Sequence, residues 1–363
     1  MGRILILANF DVGLYKFRKE LIQELLNQKN EVYISLPEGA LVRKLETMGC
    51  KFVNTYVDRR GINPKTDMKL LLFYRKLIKQ IQPDLVVTYT IKPNIYGGLV
   101  CREMKVPYAV NITGLGTAFQ NEGMIKKIVT VLYKSALKKA KVVFFENVGN
   151  KQALIEEKIV REEQICVLNG AGVNLEEYPF CEYPSEREIR FLFIGRVMKE
   201  KGVDELFTVA EQIKKEYDNV FFDIVGPMED DYINRIQELV ENGIIEYHGY
   251  QEDVKPFIQK CHCFVLPSYH EGMANTLLEA GAMGRPLITS NIHGCMEAVD
   301  DGVSGFLCEK QNVNSLYNVI KKFLGLTLVE KKEMSLAERR RTEMIFDKNT
   351  IVEKTKDRLL GGE

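Results

Sequence analysis

The chain has 363 residues, 45% hydrophobic and 28% charged, with 50 basic side chains against 50 acidic ones. This length exceeds one ordinary core and predicts two domains of a soluble globular protein; no apolar run approaches the 18 or so residues of a membrane span. The zero net charge hides a split, because residues 1–170 carry 27 Lys and Arg against 16 Asp and Glu while the remainder carries 23 against 34, so the two halves are expected to meet different partners.

"RILILA", residues 3–8, reads as a first buried strand. It is too short for a signal-peptide core, and the charged "NFDVGLYKFRKEL" that follows has no cleavage pattern. "EVYISLP", "FVNTYV", "DLVVTYT", "YAVNIT", "KVVFFEN" and "CVLNG" continue as strands, separated by helical patterns such as "KFRKELIQELLNQ" and "MKLLLFYRKLIKQ". Near-continuous apolar strands suit parallel pairing with both faces covered. The pattern breaks at "NLEEYPFCEYPSERE", residues 174–188, which is acidic and holds Pro179 and Pro184. It restarts with "IRFLFIG", "VFFDIVG", "IIEYHGY", "CFVLPS", "PLITS" and "GFLCE"; after about residue 312 only helical patterns remain. Alternating β and α predicts an α/β fold of two Rossmann-like, doubly wound parallel-sheet domains. The expected bounds are 1–173 and 189–345, with 174–188 as linker and 346–363 as a helix packing back on the first domain. Ligands of such sheets bind beyond the carboxyl ends of the strands, so the two domains are expected to face each other across a cleft.

"FIGRVMKEKGVDEL", residues 193–206, follows the first strand of the second half. Gly195 ends that strand, Arg196 and Lys201 lie in the loop, and Gly202 leads into a helix. Two cations beside a helix N-terminus suit a diphosphate. The Walker pattern is missing, so no ATPase is read here. "VLPSYHEGMANTLLEAGAMGRPLITS" is again strand, loop, helix and strand. Its Glu271 precedes Gly272, and Glu279 falls about one turn into a helix starting near Asn275. Amides of Met273, Ala274, Asn275 and Thr276 are placed to donate to phosphate oxygens. Glu279 suits ribose hydroxyls, Glu271 sugar hydroxyls, and Gly272 lets the backbone approach the ligand. Each acid alone also fits a capping or exposed helical role. His270, beside Glu271, fits loop shaping better than acid–base work.

In the first half, Gly13 in the loop after the first strand allows close approach to the cleft, and Lys92 in "YTIKPNIYGG" is placed to meet an acceptor phosphate, though it equally fits a solvated lysine. "MIKKIVTVLYKSALKKAKVV", residues 124–143, holds Lys126, Lys127, Lys134, Lys138, Lys139 and Lys141 and no acid. Basic amphipathic helices favour anionic membranes; a core-packing helix with a solvated lysine face is the competing reading. No nucleic-acid motif accompanies the lysines. The eight cysteines form no framework and fit a reducing cytosol. Cys261, His262 and Cys263 have no second pair at zinc spacing, and no Asp-x-Asp occurs, so no metal is expected.

"GRVMKEKG", "SYHEGMANTLLEAGAMGRPLI" and "NIHGCMEAVDDGVSGFL" resemble the donor domain of family 4 retaining glycosyltransferases, which have the two-domain GT-B fold, and Glu271 and Glu279 match that family's E-x7-E pattern. "YKFRKELI", "ITGLGTAF" and "NGAGVNLEEY" are similar to a narrower group of bacterial capsule, exopolysaccharide and lipid-linked oligosaccharide transferases. The resemblance implies that Arg196 and Lys201 bind the donor diphosphate, Glu279 the ribose and Glu271 the transferred sugar. Glu297 matches a further acid of the motif. Thr113, in "NITGLG", stands where many relatives have a histidine beside the donor sugar. The implied activity is retaining transfer of a sugar from a nucleotide sugar, UDP-linked by the resemblance, to a lipid-linked or growing glycan acceptor such as a polyprenyl-diphosphate sugar. No cofactor is expected beyond that co-substrate, and the implied location is the inner face of the cell membrane. A nucleotide-sugar epimerase of the same fold and a non-catalytic nucleotide-sugar-binding protein are the alternatives.

Overall fold

The computed structural model describes residues 2–58, 63–115, 123–185 and 187–361, which form two compact units, Met1–Ala171 with Lys348–Glu363, and Gly172–Asp347. The portion of "ITGLGTAF" after Leu115 and the side chain of Ile125 lie outside the described residues.

In chain order the first unit opens with β1 (Arg3–Leu7), α1 (Asp11–Asn27), β2 (Glu31–Leu36), α2 (Val42–Thr47), β3 (Lys51–Asn54), α3 (Pro64–Ile81) and β4 (Leu85–Tyr89). A π-helical turn (Pro93–Gly97) runs into α4 (Gly98–Met104), followed by β5 (Tyr108–Ile112), α5 (Met124–Leu137), β6 (Val142–Phe145), α6 (Val148–Glu156) and β7 (Ile165–Val167). The second unit holds β8 (Ile189–Ile194), α7 (Val203–Lys214), β9 (Val220–Val225), α8 (Ile233–Glu241), β10 (Glu246–Tyr247), α9 (Lys255–Lys260) and β11 (Cys263–Leu266). It continues with α10 (Asn275–Ala282), β12 (Leu287–Ser290), β13 (Gly305–Cys308), α11 (Val313–Leu324) and α12 (Leu328–Phe346). The chain then re-enters the first unit as α13 (Lys348–Leu360).

Every strand pair is parallel, in the orders β3-β2-β1-β4-β5-β6-β7 and β10-β9-β8-β11-β12-β13. Both sheets reverse direction beside their first strand, which is where open α/β sheets bind ligands. In the first sheet, alternate side chains serve two cores. Ile4, Ile6, Val32 and Ile34 pack with Leu21 and Leu25 of α1 and with Ile351 and Leu359 of α13. Leu5, Leu7, Val86 and Val110 pack with Leu70, Tyr74 and Leu77 of α3 and with Tyr133 and Leu137 of α5. Local chemistry sets the helix ends. Asn63 caps α3 by accepting from the amide of Lys65, and Pro64 sits where its missing N–H costs nothing. Thr327 and Glu330 form a capping box at the start of α12. No described helix is long and apolar enough to cross a membrane.

The boundaries differ from the sequence expectation. The stretch 174–188, read as linker, belongs to the second unit, and the crossings fall at 171/172 and 347/348. Arg285 explains the first shift. It is fully buried, and its Nη2 donates to the carbonyls of Cys181 (3.0 Å) and Glu182 (2.9 Å). The amide of Cys181 donates to Met283, and Nε2 of His262 lies 3.1 Å from the Ser185 carbonyl. A buried guanidinium needs acceptors; this backbone provides two, both for Nη2, while Nε and Nη1 have no hydrogen-bond partner among the described residues.

Candidate functional site

In the second unit the site residues gather at the carboxyl ends of β8 and β11. β8 ends at Ile194, Gly195 and Arg196 follow, and a short 3-10 turn (Lys199–Lys201) leads through Gly202 into α7. Gly202 has φ +71°, and a Cβ there would run into the carbonyl of Pro267, just beyond β11. The two loops therefore touch through a position only glycine can fill. The contact brings Lys201 Nζ within 2.5 Å of Glu271 Oε1, and Ser268 Oγ donates to the same oxygen at 2.8 Å. Both members of the pair are mostly shielded, at 22% and 12% side-chain exposure. Arg196 is exposed and lies 3.6 Å from Glu229.

Helix α10 starts at Asn275 behind Ala274, and no side chain caps its N-terminus. Met273 and Ala274 are buried, Asn275 and Thr276 half-buried, and the buried Oδ1 of Asn275 has no hydrogen-bond partner. Gly272 is half-buried beside Glu271. The loop is stitched to its neighbour: Ala274 N donates to Gly294 O, and Gly294, at φ +90°, lies too close to the carbonyls of Glu271 and Gly272 to carry a Cβ. Glu297 fixes that neighbour, accepting from Gly294 N at 2.7 Å and lying 2.8 Å from His293 Nδ1. The further acid of the motif thus braces the loop that supports Glu271. Glu279 is half-buried one turn into α10 and hydrogen-bonds the Tyr178 hydroxyl; burial first, then Glu279, raises the pKa of that tyrosine. Behind α10, the Gly281 backbone lies against Glu338 and Thr342 of α12. Glu338 is 1% exposed, and burial pushes its carboxyl up to about 8.

Among the first-unit residues singled out, Gly13 lies inside α1 rather than in a loop, because the helix begins at Asp11. The Phe10 ring covers it so closely that a Cβ would clash. Lys92 is committed: its Nζ is 2.6 Å from Asp67 Oδ1, whose other oxygen accepts from Tyr96 OH at 2.9 Å. Thr113 follows β5, half-buried. Of the six lysines on and after α5, Lys126 pairs with Glu157 at 3.5 Å and Lys141 donates to the carbonyls of Leu359 and Gly361. Lys127, Lys134, Lys138 and Lys139 are exposed. His262 and its two cysteines serve the core: the thiols donate to carbonyls, and His262 Nδ1 accepts from Arg190 N. Among the described residues one cluster has a metal-like composition, Asp223, Glu246 and His248. Arg190 Nη1 already donates to Asp223 and Glu246, and it belongs to the start of β8, away from the loops at its carboxyl end.

The second unit matches the family described as Glycosyl transferases group 1 over residues 176–342, and the first matches Glycosyl transferase 4-like over residues 3–147. An Escherichia coli UDP-Gal:alpha-D-GlcNAc-diphosphoundecaprenol alpha-1,3-galactosyltransferase is 30% identical over 72% of this chain and 71% of its own. The chain belongs to the family 4 glycosyltransferases. A Campylobacter jejuni N,N'-diacetylbacillosaminyl-diphospho-undecaprenol alpha-1,3-N-acetylgalactosaminyltransferase is 28% identical over 97% of this chain and 96% of its own. The glycosyltransferase from Rickettsia africae superposes at TM-score 0.79 with 21% identity, covering 99% of both chains. Anabaena HepE, solved with UDP and glucose, gives 0.79 at 16% over 98% of this chain and 99% of that one. The fold is GT-B.

In this glycosyltransferase, then, the two loops bring Lys201 and Glu271 together beside an uncapped helix N-terminus, while Arg196 follows β8 with Glu229 as its contact and Glu279 lies one turn into α10 against Tyr178. Such a set offers fixed positive charge to a diphosphate and acceptors to hydroxyls. Two side chains that contact these acids are not evident from the sequence: Ser268, three residues before Glu271, and Tyr178, about a hundred residues from Glu279. Tyr178 ends the "NGAGVNLEEY" segment, and that was the one available signal.

Proposed function

We propose that this glycosyltransferase takes its sugar from a UDP-sugar and transfers it, with retention, to a polyprenyl-diphosphate-linked glycan in bacterial surface-glycan synthesis. The observation that carries the reading is the Lys201–Glu271 pair beside the uncapped N-terminus of α10. Arg196, Lys201 and the α10 amides hold the diphosphate, Glu279 the ribose, and Glu271 the sugar. As the anomeric bond breaks, negative charge grows on the leaving phosphate, where those positive groups are already fixed. The acceptor hydroxyl attacks from the same face, and the departing phosphate oxygen takes its proton. The activities named for the Campylobacter and Escherichia relatives, both on undecaprenyl-diphosphate acceptors, support the acceptor class, and UDP in HepE supports the nucleotide. The first unit binds the acceptor and attaches peripherally to the inner membrane face, with the exposed lysines of α5 drawn to acidic lipid.

The test is a panel of UDP-, GDP- and ADP-sugars with a short polyprenyl-diphosphate-sugar acceptor, following nucleotide release and the anomeric configuration of the product by NMR. Acceptor-dependent UDP release with a retained configuration is expected. Release without acceptor would identify an epimerase instead, and binding without turnover a non-catalytic protein.

A further inference from the structure

Helix α3 presents five exposed cations, Lys65, Lys69, Arg75, Lys76 and Lys79. Its one acid, Asp67, is half-buried and bound to Lys92 and Tyr96. Among those cations, Met68 and Leu72 stand one turn apart with 56% and 53% of their surface in water. Helix α5 repeats the pattern. Met124, Ile128 and Val131, at 78%, 53% and 67% exposure, follow the i, i+4, i+7 spacing of one helix face, with exposed Lys127 and Lys134 beside them. The inward faces of both helices join one core on one side of the first sheet, so their outward faces belong to the same layer.

We infer that α3 and α5 together form a bilayer-docking face, in which Met68 and Leu72 enter the headgroup boundary alongside Met124, Ile128 and Val131 while the cations contact acidic phospholipid. This rests on the membrane attachment proposed above and adds a second helix and an apolar contribution to it. Apolar side chains set among cations are the composition of helices that lie in a membrane interface; of the five cations on α3, Arg75 is paired at 2.7 Å with the exposed Glu103 of α4. A second copy of this chain is a poor occupant, because pairing through this face would set cations against cations. The apolar part also changes the salt response. Screening removes the lysine attraction but not the insertion, so high salt releases the chain only in part.

The chain has no tryptophan, so Leu72→Trp and Ile128→Trp, each in the full chain, provide single fluorescent reporters. With vesicles containing acidic phospholipid, both emissions should shift to the blue and be quenched by lipid brominated near the headgroup; neutral vesicles, which lack the lysine attraction but still admit the apolar side chains, should give a markedly smaller response of both kinds. Met68→Ser with Leu72→Ser should weaken vesicle binding roughly tenfold, the scale for withdrawing a large aliphatic side chain from an apolar phase, with UDP binding and the melting temperature unchanged. A response from Ile128→Trp without one from Leu72→Trp would overturn the role of α3 and leave the α5 attachment standing. Silence from both reporters would overturn the membrane attachment itself. A blue shift of Leu72→Trp that grows with protein concentration in the absence of vesicles would assign the face to self-association and overturn the inference.

Discussion

Glu338→Gln removes a carboxyl that the fold keeps protonated far above its ordinary range. In α12 the group is 1% exposed, and burial moves its titration from 4.5 to about 8. The hydroxyls of Ser304 and Thr342 and the charge of Arg341 oppose that shift but do not overcome it. Between the two values the folded protein keeps a proton on Glu338 that the unfolded chain has released. The contribution to stability is therefore complete below about pH 4.5 and falls by about 1.4 kcal/mol per pH unit until about pH 8. Over pH 5.5 to 7.5 the loss is about 3 kcal/mol. The glutamine variant does not titrate, so its stability relative to the parent should rise by that amount across the same interval. Urea denaturation of both proteins at matched pH reads the difference directly. The offset at any one pH reflects how well the amide fits and tests nothing; the slope is the test. If the two stability curves stay parallel, the buried carboxyl is not protonated in the folded protein and the reasoning fails.

Lys201→Ala leaves Glu271 without its cation and removes a charge-assisted contact worth roughly 1.5–3 kcal/mol; turnover should fall one to two decades with the melting temperature little changed, as initial rates and thermal melts would record. Glu279→Gln should weaken binding of bare UDP, whereas Glu271→Gln should weaken only the sugar-dependent increment, and calorimetry with UDP and with the UDP-sugar separates the two. Tyr178→Phe removes the hydroxyl that holds Glu279; at about 1 kcal/mol for such a bond, UDP affinity should drop roughly fivefold. Gly202→Ala forces a Cβ into the Pro267 carbonyl at positive φ, and thermal melts should show a loss of several degrees together with loss of UDP binding.

The α/β alternation was legible because buried parallel strands announce themselves as short apolar runs, and the strands expected from "RILILA" to "GFLCE" fall in two parallel sheets. The loop after β8 and the loop before α10 were legible for the same local reason, since glycine, cations and acids stand there at fixed small spacings. What joins these loops was not. Lys201 and Glu271 are 70 residues apart, and only the close approach at Gly202 brings them together. Lys92 looked available because its partner Asp67 lies 25 residues upstream on another helix. Gly13 was read as loop because nothing local shows Phe10 folding over it. On α3, Met68 and Leu72 read as ordinary members of an apolar pattern; that they face water emerges only once Leu70, Tyr74 and Leu77 have taken the inward side.

The double crossing of the chain sets an order of assembly. The second unit, Gly172–Asp347, is closed on itself, with all its strands and their covering helices contiguous in sequence. The first unit is not. Ile351 and Leu359 of α13 fill its core beside Leu21 and Leu25 of α1, and Lys348 donates to the carbonyl of Phe17. Those partners leave the ribosome on either side of the entire second unit. During synthesis, which favours amino-terminal domains, the first unit must wait with one face of its sheet partly uncovered while its successor folds. A fragment of residues 172–347 can thus be produced as an independent folding unit, whereas one of residues 1–171 carries an open apolar seam that a separately supplied 348–361 peptide would have to close.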